Sequence, residues 1–231
     1  MLVNFNTKNC YLEDLLNMIK LRELRICGPF HIENFEEDLE QNQLIIASKC
    51  LHSLSIMSSN IDPRHLAHLV SCCVNICEFF GSIKGRMKLP EYHHFSSNIA
   101  YICLSNSEIE EDSMPTLEML PNLRILELLF SEIMGGEMVC SAQRFLRLES
   151  LILRGLYYLE EWEVEEGAMP ALRHLEIENC LELKMLPDGL RFITTLQELK
   201  IKSMPKAFKD KVVEGGEFQR VPSIIFQNCD D

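Results

Sequence analysis

The chain has no apolar run approaching the ~18–20 residues that a helix needs to cross a bilayer. Its start, MLVNFNTKNCYLEDLL, lacks the basic stretch followed by an apolar one that marks a secretory signal. Basic residues are few: 22 Lys and Arg stand against 35 Asp and Glu, a net charge of −13. That balance argues against a phosphate-binding surface for nucleic acid, which needs clustered cations. It also argues against an anionic membrane surface as partner. None of the ten glycines is followed by Lys, so no G-x-x-x-x-G-K-[ST] loop is present to cradle a nucleotide's phosphates. The ten cysteines include no Cys-x-x-Cys pair. No Ser-His-Asp order or nucleophile motif stands out. What remains is ordinary globular composition, 47% hydrophobic and 25% charged. The expectation is a chain that is not an enzyme and holds no cofactor or metal.

Three local clusters need weighing against that expectation. HLAHLVSCCVNIC brings together His65, His68, Cys72, Cys73 and Cys77. Its spacing matches no closed zinc motif, so the thiols are read as small apolar side chains, with Cys77 at a core position. His93 and His94 lie in a polar connector, EYHHFSSN, with no Cys or acid at ligand spacing. EEWEVEEG (160–167) holds the only Trp among acids. A carbohydrate cleft with an acid pair weighs less here than a solvated convex loop with Trp162 tucked onto the core.

What the sequence does contain is a repeat. The frame L-x-x-L-x-L occurs as LRELRI at Leu21, LHSLSI at Leu51, VNICEF at Val74 and IAYICL at Ile99. It returns as LRILEL at Leu123, LESLIL at Leu148, LRHLEI at Leu172 and LQELKI at Leu196. After a first step of 30 residues, the six remaining steps are 23 to 25. This is the period of leucine-rich repeats. Residues two apart in each frame share one face of a strand. The strand is followed by a bend, where Ser59, Ser82, Ser107, Ser131 and Cys180 stand eight positions after each frame start. A hydroxyl at that point can bond backbone groups left without a ladder partner. One coil cannot bury its own apolar face, but stacked coils can. The fold expected is therefore an α/β leucine-rich-repeat solenoid, a horseshoe. A parallel concave sheet of about eight strands would face a convex side of short helices and turns.

Helical signals sit on the convex side. IDPRHLAHLV has Asp62 to cap and Pro63 at the first helical position. NFEEDLEQNQLIIA has Asn34 as cap and acids in its first turn. Organisation follows: 1–20 as a partial, uncapped first repeat, 21–204 as the repeats, and 205–231 as a C-terminal cap. Within the cap, MPKAFKDKVVEGG reads as a helix ending at Gly215 and Gly216, and VPSIIF as packing material. The uncapped first coil leads us to expect an upstream neighbour, and association through that edge.

Outward strand positions are where a partner would touch. The first two frames offer Glu23, Arg25, Cys27, Ser53, Ser55 and Met57. The middle offers Ile76, Glu78, Phe80, Tyr101, Cys103, Ser105, Ile125, Glu127 and Leu129. The last three frames offer Ser150, Ile152 and Arg154, then His174, Glu176 and Glu178, then Glu198, Lys200 and Lys202. The centre is apolar for an exposed face, and large apolar patches mark interaction sites. The candidate partner-binding set is Ile76, Glu78, Phe80, Tyr101, Ile125, Glu127, Leu129, Ile152, Arg154, His174, Glu176, Glu178, Lys200 and Lys202. Its competitor is plain packing, since β-branched and aromatic residues suit a sheet.

Several segments are more specific than the frame. EDSMPTLEMLPNLRILEL (111–128), GGEMVCSA (135–142), LEEWEVEEGAMPALRHLEIENC (159–180), LKMLPDGL (183–190) and VVEGGEF with VPSIIF (212–226) resemble one family. It is the C-terminal repeat region of plant coiled-coil nucleotide-binding leucine-rich-repeat disease-resistance proteins. The resemblance runs over essentially the whole chain. It implies a cytoplasmic protein that senses a pathogen effector or a guarded host protein, and that restrains a nucleotide-binding switch module. That module is not in this sequence. The other reading kept open is a substrate-receptor repeat of a ubiquitin ligase, which calls for about 40 helical residues upstream by analogy with compact adaptor domains.

Overall fold

The computed structural model describes residues 2–5, 20–28, 50–59, 61–110, 113–216 and 218–229. Ten strands pair in chain order into one parallel sheet. They are β1 (Leu2–Phe5), β2 (Glu23–Cys27), β3 (Ser53–Ser58), β4 (Glu78–Ile83) and β5 (Tyr101–Ser105). The rest are β6 (Ile125–Leu129), β7 (Ser150–Arg154), β8 (His174–Glu178), β9 (Glu198–Lys202) and β10 (Ser223–Gln227). Each of the eight frames supplies one strand, and β1 and β10 add one at either end. β10 comes from VPSIIF, so that segment continues the sheet beside β9 rather than only packing under it.

The frame fixes the register. Leu24, Leu54, Phe79, Ile102, Leu126, Leu151, Leu175 and Leu199 stack as one inward row. None is more than 1% exposed. Each such side chain stabilises the fold by roughly 1.5–3 kcal/mol. A second inward row runs Ile26, Ile56, Gly81, Leu104, Leu128, Leu153, Ile177 and Ile201. Gly81 is the exception, and its place is taken from the convex side: a Cβ there would sit 2.9 Å from Met87 Cε.

That glycine corrects the third frame. The frame starts at Ile76, not Val74: Ile76 is 0% exposed, whereas Val74 is 62% exposed. Cys77 is half-buried, and Cys73 is the thiol in the core. The bend residues shift with it. Ser82 lies on the outward row of β4, opposite Met57. In the preceding coil Ser58 is buried and Ser59 exposed. Ser107 and Ser131 do act as expected: each hydroxyl donates to the carbonyl two residues back, at 2.9 and 3.1 Å. Each also accepts from the coil before it, Ser107 from the Ile83 amide and Ser131 from the Ser107 amide. Cys180 repeats the donation with its thiol, to Glu178 at 3.5 Å.

On the convex side, helix α1 (Pro63–Cys72) starts where its signals placed it. The Asp62 carboxylate accepts from the Arg64 amide at 2.8 Å. Helix α2 covers Ser113–Glu118. Helix α3 (Lys206–Gly215) ends on Gly216 at φ 64 and buries Phe208 and Val212. NFEEDLEQNQLIIA lies outside the described residues. Two short outer ladders were not foreseen. One joins Arg86–Met87, Glu108–Ile109 and Glu132–Ile133, and the other joins Glu137–Cys140 to Glu161–Val164. Trp162 therefore sits in a strand rather than a loop, buried opposite Met138. The L-P-D-G-L motif packs on it: a Cβ on Gly189 would overlap the Val164 carbonyl oxygen, so only glycine fits.

Candidate functional site

The register aligns the outward residues into three rows across the sheet. The first runs Glu23, Ser53, Glu78, Tyr101, Ile125, Ser150, His174 and Glu198. The second runs Arg25, Ser55, Phe80, Cys103, Glu127, Ile152, Glu176 and Lys200. The third runs Cys27, Met57, Ser82, Ser105, Leu129, Arg154, Glu178 and Lys202. Neighbouring strands lie about 4.8 Å apart, so β4 to β7 form one patch roughly 15 Å across.

The middle of that surface is apolar. The Phe80 and Tyr101 rings lie 5.1 Å apart and tilted. Ile125 is 36% exposed, and Leu129 and Ile152 are half-buried. Burial pushes the Tyr101 phenol up, helped by Cys103 and Glu127 beside it. Burial and then the Glu127 charge push the Cys103 thiol up to about 11. Both groups stay protonated at neutral pH, next to a carboxylate. The patch is thus an aromatic and aliphatic surface with Glu127 set into it and Glu78 at its β4 edge.

The last third of the face is charged and pairs with itself. Arg154 Nη2 donates to Glu176 at 2.8 Å, and Arg154 Nε lies 2.8 Å from Glu178. Lys202 reaches the other Glu176 oxygen at 3.0 Å, and Lys200 reaches Glu198 at 2.6 Å. His174 lies 3.6 Å from Glu198. Burial alone would raise the Glu176 carboxyl, but the Arg154 and Lys202 hydrogen bonds and charges hold it below its ordinary value. The Glu176 hydrogen bond likewise raises Arg154.

Of the residues expected on this face, Glu78, Phe80, Tyr101, Ile125, Glu127, Leu129, Ile152, Arg154, His174, Glu176, Glu178, Lys200 and Lys202 occupy the outward rows. Ile76 does not. It lies before β4 begins and is core, because the strand starts two residues later than the frame at Val74 implied. Ser82 takes the outward place. The sequence reading missed a second feature, an open groove on the flank after β6 to β8, lined by Gly135, Gly136, Tyr157, Tyr158, Glu160 and Glu182 among others. Two adjacent glycines and two adjacent tyrosines were its only trace.

Among the described residues no group of three or more His, Cys, Asp or Glu is placed to hold a metal. His68 and Cys72 do meet, at 3.7 Å. Burial lowers His68 and pushes Cys72 up to about 11, so neither presents an ionised group. No helix among the described residues is long and apolar enough to cross a membrane.

Residues 1–220 match the leucine-rich repeat region family. Among curated relatives from Arabidopsis thaliana, disease resistance protein RPP8 is 36% identical over 99% of this chain. Disease resistance protein RPH8A is 35% identical over 99%, and disease susceptibility protein LOV1 is 38% identical over the full chain. The chain spans 25% of the length of each, about a quarter. Among solved structures, the plant peptide hormone receptor RGFR1 in complex with RGF2 matches 91% of this chain and 32% of its own. Its TM-score is 0.49 at 15% identity, a likeness too loose to carry a functional comparison.

Proposed function

The chain belongs to the leucine-rich-repeat region family, and on that premise we propose that it is the protein-sensing part of a plant immune receptor. It recognises a pathogen effector or a guarded host protein and restrains a nucleotide-binding switch module elsewhere in the receptor. The repeats over 21–204 form the recognition array, and 205–231 closes it. The relatives' names support the immune role. One observation carries the location of the site: Phe80, Tyr101, Ile125, Leu129 and Ile152 stand on a face that would otherwise carry solvated polar groups. Apolar and aromatic side chains held at a surface are what interface centres are made of.

The test replaces Phe80, Tyr101 and Leu129 together with Glu, then measures binding of effectors, host proteins and a nucleotide-binding module by calorimetry. All three side chains lie outside the inward rows, so the fold is expected to survive. Loss of at least one partner supports the reading. Unchanged affinity for every partner bound by the wild type overturns the concave location.

A further inference from the structure

The flank groove is not used by the concave reading. Gly135 and Gly136 floor it, both with positive φ, 88° and 74°. A Cβ on Gly136 would stand 3.0 Å from the Tyr158 carbonyl oxygen, so the close approach of the two segments requires a residue without a side chain. Tyr157 and Tyr158 stand on its wall, 42% and 58% exposed. The open space is about 450 Å³. Neither tyrosine is spent on the core, and Tyr157 is held by the Asn179 amide, which donates to its hydroxyl at 3.4 Å.

A strained neighbour extends this aromatic surface. The residue just after the outward strand is left-handed in coil after coil: Asn106 at φ 52, Phe130 at 50, Gly155 at 62, Asn179 at 53 and Ser203 at 48. Asn and Gly accept that conformation readily, whereas a bulky side chain there is an outlier. Phe130 is nevertheless 48% exposed, so core packing does not account for it. Its ring lies over Gly155. A Cβ on Gly155 would meet Phe130 Cδ1 at 2.6 Å and the Tyr157 hydroxyl at 3.4 Å. Phe130 and Tyr157 thus flank the same glycine, and the aromatic surface continues into the groove.

The charge around the groove has one sign in excess. Glu160 and Glu161 share Lys184, at 3.3 and 3.1 Å. Glu182 has no ion-pair partner among the described residues. We propose that the groove takes a lysine or arginine side chain presented by an exposed segment of a partner protein. The aliphatic stem lies against the tyrosines and the cationic head sits between aromatic surface and the Glu160 and Glu182 carboxylates. An anion would be repelled. An uncharged apolar side chain would cover Glu182 without giving its carboxylate a partner. The site is separate from the concave centre and supplies a second hold on a partner, or a hold on a different one.

The test is an NMR titration of the full chain with N-acetyl-arginine methylamide, N-acetyl-lysine methylamide and N-acetyl-norleucine methylamide. Saturable shifts at the Gly136, Tyr157 and Tyr158 amides are expected with the two cations and not with norleucine. Glu182→Gln and Tyr158→Ala should each weaken the cation response about threefold, the scale of an exposed ion pair or cation–π contact. Tyr158→Phe keeps the aromatic face and should retain the response. The variant with Glu at Phe80, Tyr101 and Leu129 should also retain it, which separates this site from the concave one. Equal response to norleucine overturns the proposal. So does absence of saturable shifts, undiminished response in Glu182→Gln and Tyr158→Ala, or loss of response in the concave variant.

Discussion

The central and the C-terminal thirds of the concave face are built on the same ladder and solve its exposure differently. From β7 to β9 the outward rows carry Arg154, Glu176, Glu178, Glu198, Lys200 and Lys202; Arg154 pairs with Glu176 and Glu178, and Lys202 with Glu176, across strands, and Lys200 pairs with Glu198 within β9. From β4 to β7 the rows carry Phe80, Tyr101, Ile125, Leu129 and Ile152, which only partly cover each other. A self-paired charge network leaves little unmet for a partner to satisfy. An exposed apolar patch leaves a great deal, because covering it releases water. On the proposed reading, the centre is the recognition surface and the charged third its rim.

The largest effect is expected from two isoleucines of opposite burial, Ile76 in the core and Ile125 on the outward face. Ile76→Ala should destabilise by about 2–5 kcal/mol, because it empties a closed core site. Ile125→Ala should cost less than about 1 kcal/mol, as surface changes do. Urea melts of both variants check this. Equal losses would mean that the central patch is merely packing. Gly155→Ala comes next. It combines positive φ with a collision against Phe130 and should cost about 1–3 kcal/mol, read from the same melts.

The charged third should respond to pH where the centre does not. Glu176 has a folded pKa below its ordinary value, so its contribution is present above the unfolded pKa and is lost as pH falls through the folded one. Stability should therefore decline from about pH 5 downward in the wild type, and Arg154→Ala should flatten that decline. At neutral pH the same change should cost only about 1 kcal/mol, since Arg154 is partly solvated. Thermal melts between pH 3 and 7 provide the check. The smallest effect is expected at Phe130→Asn: relief of a left-handed aromatic offsets the lost ring contact, so stability should change by less than about 1 kcal/mol. The cation response of the flank groove should still weaken.

Most of the sheet was legible because the strand period is strict. A frame of apolar residues at fixed offsets places one row in and the next out, and thirteen of the fourteen residues in the proposed set follow that parity. Ile76 failed for a local reason. Gly81 removes the third apolar residue of its frame, and Met87, six residues further along the chain, fills the gap. With that apolar side chain missing, VNICEF imitates the frame two residues early. The outer ladders were hidden differently: Glu137–Cys140 and Glu161–Val164 are four residues each, too short for alternation to stand out from a turn. The flank groove left only a faint trace because its floor is backbone, two left-handed glycines beside the next coil. Sequence spacing reports which side chains face in, not where the chain leaves a hole.

The most direct measurement compares two variants in plant cells by quantitative proximity labelling. One carries Glu at Phe80, Tyr101 and Leu129. The other carries Glu at Lys200 and Lys202. The expectation is that the central variant loses the protein partners labelled by the wild type, while the rim variant, folded to the same degree, keeps them. Retention of those partners by the central variant, or their equal loss from both, would contradict it.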